Sequence, residues 1–275
     1  MLCTTCGTRP VVGADGRCTR CSALHRGAPG GLMRPAAVPP PEAWQRLRSP
    51  VALSKAVAAL LSAVVLTDLL DVAAGLHLRG AIGDGVVQWT RADLLYGRAG
   101  SLQAVALLGT AVVFIVWFHR VRRNAEVFDA GLQQMKPGWA IGGWFVPIGN
   151  FWLPRRVAGD VWSASTTPNP DGSWRPVSTA PLNLWWAAWV LSLLFGRFAS
   201  GRYAAADGPQ EVKDAAGLVV AADVLDILAA VLAIVFVRTL TRMQGERAGR
   251  GPHLSQDRPA AARSWPGAPP RGAAE

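Results

Sequence analysis

The chain has 275 residues, 51% of them hydrophobic and only 17% charged, with 28 Lys and Arg against 18 Asp and Glu. Soluble domains carry about 25% charged residues, so this composition excludes an ordinary soluble domain as well as a polar disordered chain. The apolar residues are gathered into long runs, which points to hydrocarbon as the solvent.

All four cysteines fall within the first 21 residues, as Cys3-x2-Cys6 and Cys18-x2-Cys21 with eleven residues between the hooks. Two such hooks can place four thiolates in a tetrahedron around one ion. Gly7 gives the first knuckle backbone freedom, Arg9 to Val12 can form a strand, and Gly13 to Gly16 a turn. Residues 1–23 therefore read as a zinc ribbon whose structural zinc is held by Cys3, Cys6, Cys18 and Cys21. So small a head has no core without its ion. Two disulfides are the alternative, which a reducing cytoplasm disfavours; a redox-active pair is another. Arg9, Arg17, Arg20 and Arg26 would permit nucleic acid or acidic lipid. A protein partner through the ribbon or the tails fits at least as well, and membrane topology gives a blander origin for the net charge of +10.

Residues 24–50 are a Pro/Gly/Ala-rich linker. The first 50 residues hold no apolar core of a signal peptide, so the first span is expected to act as an uncleaved anchor.

Four spans follow, at about 51–74, 101–118, 180–199 and 215–237. Each comes near the ~20 residues that cross ~30 Å of hydrocarbon. Backbone groups in lipid must be satisfied within the segment, which makes these helices and the fold an all-α integral membrane bundle over residues 51–242. Of the 28 basic residues, 21 lie in residues 1–50, 119–179 and 238–275. That asymmetry predicts a cell (plasma) membrane protein with both termini and the middle loop in the cytoplasm.

In the first outer loop, Thr90 and Asp93 fit a capping box for a short helix, while Trp89 and Tyr96 suit the interface. After the second span, Val121, Ala125, Phe128, Leu132 and Met135 keep helical spacing until Pro137-Gly138 stops it. Trp139–Pro154 (WAIGGWFVPIGNFWLP) then runs uncharged for sixteen residues between Lys136 and Arg155-Arg156. It is short for a span and broken by glycines and Pro147, so it reads as a re-entrant or interfacial segment; a fifth span would put the last seven basic residues outside. Residues 243–275 read as a disordered tail.

Two aspartate pairs lie within the spans: Asp68 and Asp71 in the first, Asp223 and Asp226 in the fourth. The i,i+3 spacing puts each pair on one helix face. A carboxylate at mid-bilayer costs about 2.5–3.5 kcal/mol, so four of them should face the bundle interior or the outer water boundary. One reading is a cation or proton site between the first and fourth helices with His77 nearby. The plainer one is a structural network in which Arg197 pairs with some aspartates and the rest reach outer water, only Asp223 and Asp226 lying deep.

Nine of the twelve tryptophans lie between Trp117 and Trp189. Most suit interfacial anchoring, and Trp139, Trp144 and Trp152 could line a cofactor or headgroup pocket. His25, His77, His119 and His253 are scattered without a nucleophile partner, so no catalytic set stands out and the expectation is a non-enzyme.

The stretch from Pro137 to Pro154 (PGWAIGGWFVPIGNFWLP) resembles the signature of a bacterial family of unknown function, DUF4328. Trp117–Asn124 (WFHRVRRN), Val161–Ser165 (VWSAS) and Asn183–Trp186 (NLWW) extend the similarity over roughly residues 50–242. The signature residues are Pro137, Gly138, Trp139, Trp144, Pro147, Asn150, Trp152 and Pro154, with Gly149 standing where alanine is expected. The resemblance implies a multi-pass membrane protein of a kind common in actinobacteria, several with zinc-ribbon or Pro-rich N-termini, and it implies no activity. Together these features predict a membrane scaffold or sensor, or else a small cation or proton transporter or channel using the Asp pairs.

Overall fold

The computed structural model describes residues 41–82, 86–167 and 177–251, with the backbone alone at residue 41 and residues 86–89. The cysteine head, the linker as far as residue 40 and the tail from residue 252 lie outside the described residues. The described chain is helical: α1 (Pro41–Trp44), α2 (Val51–Ala81), α3 (Val86–Phe128), a 3-10 turn (Ala130–Leu132), α4 (Trp139–Gly142), a second 3-10 turn (Gly149–Phe151), α5 (Leu153–Ser165), α6 (Ala180–Ala204) and α7 (Pro209–Arg250). Among the described residues α2, α3, α6 and α7 are long and apolar enough to cross a membrane, and the chain is a membrane protein.

These four helices exceed the apolar runs that foretold them. Hydropathy marks where lipid begins and ends, whereas the backbone ladder continues until a cap or breaker intervenes. Thr90 is thus an interior residue of α3, which starts at Val86, and not the first residue of a separate short helix. At its other end α3 stops at Phe128, ahead of the predicted Pro137-Gly138. The Asp129 carboxylate accepts from the backbone N–H of Gly131 at 3.0 Å and of Leu132 at 3.3 Å, turning the chain early. The predicted tail begins inside α7, which runs to Arg250 and ends where Gly251 takes φ 59°. The end of the predicted linker holds α1, whose Trp44 ring lies 5.8 Å from that of Phe128.

Short connections make α2–α3 and α6–α7 antiparallel neighbours, and α2 also packs along α7. Gly75 sets that last approach: a Cβ there would meet Val220 Cγ2 at 2.7 Å. Tyr96 packs with Ala74, Leu78 and Ala216 at the end where the short connections lie, here the loop end.

The opposite, terminal end is built on aromatics. Trp185 stacks on Phe236 at 4.4 Å and 8°, Trp162 stacks on Phe236 at 13°, and Trp117 meets Phe236 edge-on at 5.9 Å. Trp117, Trp162, Trp185 and Trp186 are buried, so the tryptophan-rich region is mainly core and not the set of interfacial anchors expected.

A buried polar knot fastens this end. Gln244 Nε2 donates to Val121 O at 2.9 Å and to Ser165 Oγ at 3.2 Å, while its Oε1 accepts from Asn124 Nδ2 at 3.0 Å. Asn124 also donates to Arg48 O at 2.9 Å and accepts from Arg48 N at 3.1 Å. The knot joins the approach to α2 with α3, α5 and α7.

The signature segment packs beside it as α4, a tight turn and α5. Ile148 has φ 59° and ψ −50°, and Gly149 N donates to Pro147 O, which is a γ-turn strained for a β-branched residue. Gly149 is buried, and a Cβ there would meet Val146 Cγ1 at 2.8 Å and Leu153 Cδ1 at 2.9 Å; the expected alanine would crowd this turn. Pro137 is half-buried and Gly138 exposed, Pro154 is buried at the start of α5, and Trp139, Pro147 and Trp152 are exposed. Asn150 is half-buried, its Oδ1 without a hydrogen-bond partner among the described residues. α5 lays Val157, Ala158, Val161 and Trp162 into the core. On its other edge burial lowers the pKa of Arg155 and raises that of Asp160, which accepts from Gln134 N at 3.1 Å.

Candidate functional site

Because α2 and α7 run antiparallel in close contact, the two aspartate pairs meet. Asp68 and Asp223 each lie within electrostatic range of the other three aspartates. Asp68, Asp71 and Asp223 are buried, and Asp226 is half-buried. Packing against α3 thus covers Asp68 and Asp71 as well as the α7 pair.

Gln103 of α3 is the residue that the sequence reading missed. Its Nε2 donates to Asp68 Oδ1 at 2.5 Å, and its amide also reaches Asp223. A signal existed: it is the one amide in the second apolar run. On the far side, Ser192 of α6 borders the same cavity as Asp226, its hydroxyl donating to Trp189 O at 3.1 Å. Asp71 is 2% exposed, and among the described residues neither of its carboxylate oxygens has a hydrogen-bond partner; Asp68 Oδ2 and Asp223 Oδ2 are likewise unpartnered there.

Arg197 does not take the role expected of it. It is exposed and borders a cavity with Asp223 and Asp226, but among the described residues no ion pair joins it or any other cation to the four aspartates. His77 is exposed, away from the cluster, because it lies on the outward face of α2. Among the described residues no three His, Cys, Asp or Glu side chains are grouped to chelate one metal ion. Cys3, Cys6, Cys18 and Cys21 lie outside the described residues.

Three cavities run end to end through this region. The first, about 450 Å³, lies at the loop end between Asp71, Tyr96, Gln103, Tyr203 and Asp223. The second, about 590 Å³, shares Gln103, Ser200, Val219 and Asp223 with it and adds Ser192, Arg197 and Asp226. The third, about 210 Å³, shares Leu107, Trp189 and Asp226 with the second and is otherwise mostly apolar. α3 and α6 bridge the string at two levels. At the loop end Tyr203 Oη donates to Asp93 Oδ1 at 2.7 Å, and deeper in Phe114 lies 5.6 Å from Trp185. The arrangement can hold charge in a half-open cleft with a polar approach from the loop end.

Trp144 of the signature segment enters this system. Its ring packs edge-on against Phe114, Phe118 and Trp189 and lines the innermost cavity. The predicted pocket of Trp139, Trp144 and Trp152 does not form, because the turns at Gly142-Gly143 and Ile148 leave Trp139 and Trp152 exposed.

A family described as "Domain of unknown function (DUF4328)" matches residues 84–242. The chain belongs to the DUF4328 family. The DUF4328 match holds α3, the signature segment, α6 and the Asp223–Asp226 pair, but it begins after α2 and so is shorter than the resemblance expected. Asp68 and Asp71 stand outside it. No curated protein and no solved structure matches the chain.

Proposed function

We propose that this DUF4328 protein is a small cation or proton transporter whose intramembrane aspartates carry the transported charge. Asp71 carries the reading, since it is buried, unpartnered at both carboxylate oxygens, and borders a cavity shared with Asp223. A buried carboxylate without a partner is costly, and more so inside a membrane. With no Lys or Arg paired to the cluster among the described residues, protons or a bound cation are the remaining source of compensating charge.

The distribution of basic residues supports a cell-membrane protein with both termini in the cytoplasm, which turns the loop end and its polar cavity outward. The exposed Phe145, Ile148 and Trp152 support an interfacial or re-entrant seat for residues 139–154 on the cytoplasmic side. Trp144 then stands between the aspartates and the cytoplasm, and passage requires that plug to move. The protein has no enzymatic role in this reading.

The test is flux from liposomes holding the full-length protein, with an imposed cation gradient and a trapped pH dye. Asp71→Asn and Asp223→Asn are expected to abolish ion-linked flux while thermal unfolding stays near that of the parent. Absence of any ion-linked flux in the parent protein refutes the proposal.

The paired cysteine hooks favour a second role, in which residues 1–23 are a zinc-bound contact module that gives the protein a scaffold or sensor function. Full-length protein should carry about one zinc per chain, lost when Cys18 and Cys21 become serine.

A further inference from the structure

The innermost cavity has two unlike walls. Phe114, Trp144, Trp185 and Trp189 present aromatic surface, and Asp226 supplies the one charged group among the described residues that line it. Ala229, Ala230 and Ala233 line it with small side chains. Thr110 also borders it, but its hydroxyl is already committed to the Ala106 carbonyl at 2.7 Å. An alkali or divalent ion entering here would give up its water for one carboxylate, without the ring of oxygens such ions require. An organic ammonium is weakly hydrated, finds aromatic faces attractive, and needs a single counter-charge.

Resting on the transport reading, we infer that this chamber takes an organic monocation, a short-alkyl or single-ring ammonium with its charge at Asp226 and its body against Trp144, Trp185 and Trp189. Size agrees: a cavity of about 150 Å³ holds benzene, and this one measures about 210 Å³. Access agrees as well, because Leu107, Trp189 and Asp226 are shared with the polar cavity leading from the loop end. The aspartates nearer that end would supply the exchanged protons, and Asp226 the site of the organic charge.

Calorimetric titration of full-length protein in lipid nanodiscs with phenyltrimethylammonium tests this. Saturable binding is expected. Asp226→Asn should weaken it at least tenfold, Asp226→Glu should keep it within a few-fold, and Ala230→Phe should abolish it by filling the chamber. Thermal unfolding of each variant checks that the fold persists. Equal affinity in Asp226→Asn, or undisturbed binding in Ala230→Phe, overturns the inference. If phenyltrimethylammonium does not bind while Asp223-dependent flux of alkali ions or protons persists, the inference falls and the transport reading stands. If neither binding nor flux is found, both fall.

Discussion

Replacing Gln244 with leucine probes the knot that holds the terminal end together. Gln244 is 1% exposed, and its amide makes three hydrogen bonds, at 2.9, 3.2 and 3.0 Å, to α3 and α5. Leucine has similar bulk, so the change removes the bonds without opening a large cavity. At a net value of about 1 kcal/mol each, the expected loss is about 3 kcal/mol. Asn124 keeps its bond to the Arg48 carbonyl and is only half deprived. Unfolding by SDS in mixed micelles, followed by circular dichroism, measures the loss. Asn124→Ala removes the same 3.0 Å bond from the other side, so the double variant should fall short of the sum of the singles by about 1 kcal/mol. A Gln244→Leu protein within about 0.5 kcal/mol of the parent, or strict additivity, would refute the reasoning.

Three further outcomes are expected. Gly75→Leu should cost about 2 kcal/mol in the same assay, because its first side-chain carbon alone lies 2.7 Å from Val220 Cγ2; a neutral result would mean that α2 and α7 are not in close contact. Ile148→Gly should stabilise by about 1 kcal/mol through relief of the φ 59° strain, and a lower thermal midpoint would show that the γ-turn is not strained. Burial raises the Asp160 pKa despite the Gln134 N–H and the nearby Arg156 and Arg122, so the folded state holds that proton more tightly than the unfolded chain. Its contribution to stability is full below the ordinary carboxylate range and is lost as pH rises through the raised value. Asp160→Asn should flatten that part of the thermal-midpoint profile, and an unchanged slope would discount Asp160.

The four membrane helices were legible in the chain itself, because twenty apolar residues in a row admit few environments other than lipid. The i,i+3 spacing that puts Asp68 with Asp71 and Asp223 with Asp226 on one helix face was legible as well, as was the match to DUF4328 around Trp139–Pro154. Helix ends were read poorly. Apolarity reports the solvent around a segment, whereas termination at Phe128 depends on a local carboxylate bond from Asp129 and the end of α7 on Gly251. The tryptophans illustrate the wider limit: composition cannot tell a ring at the lipid interface from one stacked on Phe236, since both environments favour the same side chain. Gln103 meeting Asp68, Arg197 standing apart from the aspartates, and Trp144 turning inward while Trp139 and Trp152 turn out are matters of tertiary packing. They depend on which helices become neighbours and at what rotation, and those are set by contacts such as Gly75 against Val220, far apart along the chain.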